Sequence, residues 1–138
     1  MEDKKEGVKK ILIVDDDKFL LDMYTIKLKE KGFDVTPTRE STDVLNRLRG
    51  GETPDVMLLD IVMPAMDGFE LLAAIKKENL APHAKIIILS NLGLPSDIER
   101  GRELGANGYV VKASSTPSMV VERVIATLNG EELFQKVD

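Results

Sequence analysis

The stretch Val56-Met57-Leu58-Leu59-Asp60-Ile61-Val62-Met63-Pro64-Ala65-Met66-Asp67-Gly68 decides how the chain is read. Four apolar residues follow Pro54-Asp55, stop at one carboxylate and run into a proline turn. An unbroken apolar run between turn signals reads as a strand buried on both faces, as a parallel sheet requires. Asp60 then stands at the mouth of that strand. Taking a carboxylate out of water is costly unless a cation or hydrogen-bond donors meet it, so the rest of the chain must supply partners.

Two further runs share this character: Lys10-Ile11-Leu12-Ile13-Val14, ending in Asp15-Asp16-Asp17, and Lys85-Ile86-Ile87-Ile88-Leu89, ending in Ser90-Asn91. Two shorter ones, Phe33-Asp34-Val35-Thr36 before Pro37 and Tyr109-Val110-Val111 before Lys112, read as edge strands, the first because proline confines a strand to an edge. Helical patterns lie between them. Asp17 is placed to cap a helix with Phe19, Leu20, Met23, Tyr24, Ile26 and Leu28 as its apolar face. Ser41 or Thr42 can cap a second, with Val44, Leu45 and Leu48, and Phe69, Leu71, Leu72 and Ile75 mark a third. The fourth, from Pro95 to Leu104, is the weakest, because Ile98 is its main anchor and an interior glycine, Gly101, costs roughly 1 kcal/mol against alanine. Thr116-Pro117 opens a fifth with Val120, Val121, Val124, Ile125 and Leu128 on one face. This alternation predicts an α/β fold: a doubly wound, five-stranded parallel sheet of order 2-1-3-4-5, with helices on both faces.

Length and composition agree with one domain. The chain has 138 residues, 43% hydrophobic, and no apolar run near the ~20 residues of a membrane span. Its expected division is a charged lead over 1–8, the folded domain over 9–129, and a tail or start of a linker over 130–138. The charged opening does not resemble a signal peptide, so the default location is cytoplasmic. A net charge of −5 argues against direct nucleic-acid binding, and the absence of cysteine excludes disulfides and thiolate chemistry. The single histidine, His83, in a proline-flanked loop, reads as a surface residue, and Met57, Met63 and Met66 read as packing.

In a parallel sheet, residues just beyond each strand share one rim, here Asp15, Asp16, Asp60, Ser90, Asn91 and Lys112. Ligands of such sheets bind at this carboxyl end where the strand order reverses, between the first and third strands. Carboxylates crowded in that crevice repel one another unless positive charge intervenes. A hard dication, Mg²⁺ or Mn²⁺, suits them, with Lys112 as a second positive charge and Ser90 as a hydroxyl donor. Such a set can orient the oxygens of a phosphoryl group, and Asp60 is placed to be its nucleophile. Each residue alone has a plainer reading, the acidic pair as a helix cap above all. Their common position at strand ends is what favours chemistry.

These pieces resemble the receiver domain of two-component response regulators, of the single-domain chemotaxis type with its flavodoxin-like fold. The matching segments are Ile13-Val14-Asp15-Asp16, Leu59-Asp60 with Met63-Pro64 and Met66-Asp67-Gly68, Leu89-Ser90, and Gly105-Ala106 leading to Tyr109-Val110-Val111-Lys112. The resemblance implies that Asp60 accepts a phosphoryl group from the phosphohistidine of a histidine kinase or phosphotransfer protein, with Mg²⁺ required. It implies direct metal contacts from Asp16 and Asp60, a mainly water-mediated one from Asp15, and one from the Val62 backbone carbonyl. Lys112 would pair with a phosphoryl oxygen. Ser90 would bond the phosphoryl group and swing inward, and Tyr109 would follow from exposed to buried. Output would pass by protein contact through the face of the fourth helix, fifth strand and fifth helix, and a phosphorylation-dependent homodimer fits the same scheme. The domain would then be no enzyme beyond forming and hydrolysing its own aspartyl phosphate.

The chain departs from the family pattern in three respects. Ala113 stands where proline usually follows the lysine, Asn91 replaces a small residue, and Val62 and Leu92 are apolar where polar residues can help place an attacking water. These last two predict slow self-dephosphorylation. Two rival readings stay open: a haloacid-dehalogenase-like phosphatase using Asp15 with Asp17, and a phosphorylation-independent binding module of the same fold.

Overall fold

The computed structural model describes residues 7–131, 133 and 134; the rest of the expected lead and tail, residues 1–6, 132 and 135–138, lies outside them. Strands β1 (Lys10–Val14), β2 (Asp34–Thr38), β3 (Val56–Leu59), β4 (Lys85–Ser90) and β5 (Gly108–Val111) alternate with helices α1 (Lys18–Glu30), α2 (Ser41–Arg49), α3 (Gly68–Lys77), α4 (Pro95–Glu103) and α5 (Pro117–Leu128). All pair in parallel in the order expected, 2-1-3-4-5. A sixth strand, β6 (Leu133–Phe134), extends the sheet beyond β5, also in parallel.

Period-two alternation along each strand splits the core in two. Leu12, Val14, Met57, Leu59, Ile86, Ile88, Tyr109 and Val111 face one side, together with α2, α3 and Ile98 of α4. Ile11, Ile13, Val56, Leu58, Ile87, Leu89 and Val110 face the other, against α1 and α5. Every residue of β3 is fully buried, as its unbroken apolar run requires. Among the described residues no helix is long and apolar enough to cross a membrane.

Four local expectations change. In α1 the buried residues are Leu21, Tyr24, Thr25 and Leu28, spaced as one helical stripe, whereas Phe19 and Ile26 lie on the opposite face, 72% and 58% exposed. The second helix begins at Ser41 itself, with Glu40 at the cap position and no side-chain cap bond; the Ser41 hydroxyl is buried. Pro37 lies within β2 rather than after it, which an edge strand permits because one side of its backbone needs no ladder partner. Gly101 is no mere weakness of α4: a Cβ there would stand 2.6 Å from Ile88 Cδ1 and 3.1 Å from the Tyr109 ring, so the glycine lets the helix close on the sheet.

Candidate functional site

Asp15 follows β1, Asp60 follows β3, Ser90 ends β4 and Lys112 follows β5, so the parallel sheet delivers all four side chains to one rim. Asp60 continues the ladder through its N–H, which donates to the Val14 carbonyl at 3.1 Å. Its carboxylate, on a residue only 5% exposed, accepts its neighbour Ile61's N–H on Oδ1 at 2.7 Å and the Lys112 ammonium on Oδ2 at 3.0 Å. Lys112 also reaches Asp15 Oδ2 at 2.6 Å. That buried oxygen is thus charge-paired with Lys112. The other oxygen, Asp15 Oδ1, accepts the Asp17 N–H at 2.9 Å.

Burial pushes the Asp15 carboxyl above its ordinary value, and the charge of Asp60 adds to that, against the lowering influence of Lys112 and the Asp17 amide. Burial alone would pull Lys112 down, but the two carboxylates outweigh it and hold the ammonium above its ordinary value. Burial likewise raises the Tyr109 phenol.

Asp16 is the exposed member of the acidic set, and ligand oxygens of Asp15, Asp16 and Asp60 lie within 4.8 Å of one another. Three ionised carboxylates facing one ammonium leave an excess of two negative charges. That excess and the all-oxygen donor set fit a hard dication. The cleft above the cluster is lined by Asp16, Asp17, Leu20, Asp60, Val62, Ser90, Asn91 and Lys112. Asp17, which a phosphatase would need as the acid partner of Asp15, accepts the Leu20 N–H on Oδ1 and so caps α1.

The remaining expected residues lie around this cleft. Ser90 is fully buried, and its Oγ accepts the Leu92 N–H at 3.3 Å. The Leu92 carbonyl in turn accepts the Tyr109 hydroxyl, whose ring is fully buried here. Val62 is 59% exposed at the mouth. After Lys112 the chain enters a 3-10 turn (Lys112–Ser114) through a trans bond to Ala113, with no cis peptide among the described residues. His83 is exposed, Met57 and Met63 are core residues, and Met66 packs against the core from its edge.

Three contacts that sequence reasoning did not assign also shape the site. Arg39 donates through Nη2 to the Asp16 carbonyl at 2.8 Å, a contact across 23 positions that no local pattern signals. The Met66 N–H bonds the Pro64 carbonyl around Ala65 at φ +69°, a strained γ-turn directly after the acidic strand end, where alanine replaces the glycine or asparagine such a φ favours. Gly68 packs its α-carbon on the Asp60 backbone: an added Cβ would overlap the Asp60 carbonyl oxygen and stand 2.8 Å from Ile61 Cα.

Comparison with known proteins agrees with this geometry. The family model described as response regulator receiver domain matches residues 11–124. The crystal structure of a CheY-like response regulator receiver domain protein from Methanospirillum hungatei JF-1 is similar, with a TM-score of 0.80 and 29% identity over 88% of this chain and 94% of that one. The BeF3-activated DrrB receiver domain matches with a TM-score of 0.77 and 31% identity over 88% of this chain and 98% of that one. Against the longer response regulator DrrB, a Thermotoga maritima OmpR/PhoB homolog, the TM-score is 0.77 and the identity 31%, over 88% of this chain and 53% of that one.

Proposed function

The chain belongs to the response regulator receiver domain family, and on that premise we propose that Asp60 is its phosphoacceptor, loaded from a phosphohistidine in a Mg²⁺-dependent step. One observation carries this reading: Asp60 is buried at its strand end, 3.0 Å from Lys112 Nζ, with the oxygens of Asp15 and Asp16 gathered beside it. Asp16, Asp60 and the Val62 carbonyl would hold the dication, with Asp15 acting mainly through water. When bound, Mg²⁺ or Mn²⁺ supplies charge neutralisation to the phosphoryl oxygens.

The chain's own residues do the rest. An Asp60 carboxylate oxygen attacks phosphorus, forming the P–O bond as the P–N bond to the donor imidazole breaks; the imidazole leaves with the electron pair and takes up a proton. Lys112 stays beside the new aspartyl phosphate as its counter-charge, and the Ser90 hydroxyl, whose oxygen accepts the Leu92 N–H, keeps its hydrogen to donate to a phosphoryl oxygen. The exposed Val62 and the half-buried Leu20, both lining the cleft, suit contact with a donor protein carrying the phosphohistidine. Signalling then passes by protein contact at the face of α4, β5 and α5.

Val62 and Leu92 offer no side-chain acceptor to orient an attacking water, which supports slow hydrolysis of the phosphoryl group. The test is uptake of label from acetyl phosphate with Mg²⁺. Wild type should be labelled, and both Asp60→Asn and EDTA should abolish labelling. Label retained on Asp60→Asn overturns the assignment, and turnover of a phosphomonoester by that variant, lost in Asp15→Asn, would return the phosphatase reading. After donor removal, Val62→Asn should shorten the lifetime of the label; an unchanged lifetime would remove the apolar-mouth account.

A further inference from the structure

Of the three carboxylates gathered at the rim, Asp15 and Asp60 are buried and share Lys112, whereas Asp16 is exposed, so packing does not fix its place. The direction of its carboxylate is then set by the backbone that carries it. Arg39 holds that backbone: its Nη2 donates to the Asp16 carbonyl at 2.8 Å.

The peptide between Asp16 and Asp17 is clamped at both ends. Its carbonyl meets the Arg39 guanidinium, and its N–H, that of Asp17, donates to Asp15 Oδ1 at 2.9 Å. A cation on the oxygen and an anion on the hydrogen both follow the peptide dipole, and each polarises the unit so as to strengthen the other bond. On the preceding side of Asp16, the Asp15 N–H donates to the carbonyl of Thr38 at 3.1 Å. Thr38 ends β2 and Arg39 follows it, so two successive residues hold the backbone on both sides of Asp16. An exposed arginine on a carbonyl is commonly no more than a surface bond. This one is set apart by its target, the peptide that ties two members of the acidic set together.

We propose that Arg39 is a positioning residue for the divalent cation: by fixing the Asp16–Asp17 peptide it keeps the exposed Asp16 carboxylate beside Asp15 and Asp60, so that the metal meets ligands already gathered. This rests on the reading of the acidic cluster as the Mg²⁺ site. A ligand set ordered in advance spares the metal the cost of ordering it. Charge alone acts in the opposite direction, because a guanidinium near the cluster repels a dication and its loss would tighten binding. The sign of the change in affinity therefore separates positioning from charge.

Amide NMR spectra of the full chain, titrated with MgCl2 alone at constant ionic strength, test this. Wild type should bind, with shifts centred on Asp15, Asp16, Asp17, Asp60 and Ile61. Arg39→Met should weaken Mg²⁺ binding roughly tenfold, the low end of what losing a supporting partner costs a metal site, while the resonances of β4 keep their positions. Arg39→Lys, which returns a cationic donor without the planar fork, should bind between the two. Phosphoryl uptake from acetyl phosphate by Arg39→Met should lag at limiting MgCl2 and reach the wild-type rate at saturation. Unchanged or tighter Mg²⁺ binding by Arg39→Met overturns the positioning role, and so does an uptake rate that stays low at saturating MgCl2. Failure of wild type to bind Mg²⁺ overturns the metal reading itself, and the role of Arg39 with it.

Discussion

Asp55 and Asp60 bracket the same four-residue strand, one at each end, yet they do different work. Asp55 is stitched entirely to backbone: Oδ2 accepts the Lys10 N–H at 2.8 Å, its own N–H donates to the Lys10 carbonyl at 2.8 Å, and its carbonyl accepts from the Lys85 N–H at 2.9 Å. Asp60 joins the ladder through its amide, but its carboxylate is aimed at an ammonium and sits among other carboxylates. The cleft near the Asp55 end, lined by Lys10, Asp34, Glu52 and Thr53 among others, mixes signs on an ordinary surface. Position at a strand end therefore does not mark a site. Burial combined with crowding of like charge does, because folding retains that arrangement against its electrostatic cost.

The sharpest way to break this contrast is to remove the cation. Lys112→Met leaves Asp15 and Asp60 buried, their common counter-charge gone, and breaking a buried pair in this way costs about 3–5 kcal/mol. Urea unfolding in EDTA should show a loss of that order, and MgCl2 should restore part of it by returning positive charge to the cluster. A loss below about 1 kcal/mol would mean that the two carboxylates do not depend on Lys112.

Glycines sharpen the same comparison at a smaller scale. Gly68→Ala forces a methyl group against the Asp60 backbone, which cannot turn aside as a side chain can; a cost of about 1–3 kcal/mol and slower phosphoryl uptake should appear together. Gly51, near the Asp55 end, has φ +104° and nothing within 4 Å of an added Cβ. Gly51→Ala should cost about 1 kcal/mol of backbone strain and leave uptake unchanged. Thermal unfolding and labelling rates on both variants decide this, and equal labelling rates would show that the Gly68 contact does not position Asp60.

How legible these features were in the sequence follows from their range. Three apolar runs ending at Asp15, Asp60 and Ser90 marked the central strands and two shorter runs the outer ones, which gave the order 2-1-3-4-5, while the two-residue β6 beyond β5 was too short to read. The same runs brought Asp15, Asp60, Ser90 and Lys112 to one rim without any coordinate. What escaped depends on contacts distant in sequence or on backbone geometry. Phe19 and Ile26 looked like core because they are apolar, yet they share the outer stripe of α1. Arg39 at the Asp16 carbonyl, Ala65 at positive φ and Phe134 under Arg102 carry no local signature at all. Gly101 read as a defect of α4 because its reason, the Ile88 and Tyr109 side chains, comes from two other strands.

At the Asp55 end the expected effects are smaller and purely structural. Asp55→Ala removes the acceptor of the Lys10 amide, a bond at the protein surface worth about 1 kcal/mol. Unfolding should register that loss, while phosphoryl uptake stays at the wild-type rate. A slowed uptake would undo the division of labour between the two aspartates.

The smallest effect separates a half-buried carboxylate from the fully buried ones by pH. Asp43 bonds Arg47 Nε at 2.9 Å, and chiefly this contact holds its carboxyl below the ordinary value of 3.8, with burial opposing. A folded-state value below the unfolded one gives stability that is fully present above pH 3.8 and lost as pH falls through the folded value. Asp15 runs the other way: its raised value means that stability declines as pH rises from the unfolded value through the folded one, until a dication compensates. The Asp43 and Arg47 side chains are 37% and 35% exposed, so solvent screening limits the pair to a few tenths of a kcal/mol. The difference in unfolding free energy between wild type and Arg47→Gln should therefore be present at about pH 6 and shrink as pH falls below 3.8. A difference that persists at low pH would show that Arg47 acts through packing of its stem instead of through the Asp43 charge.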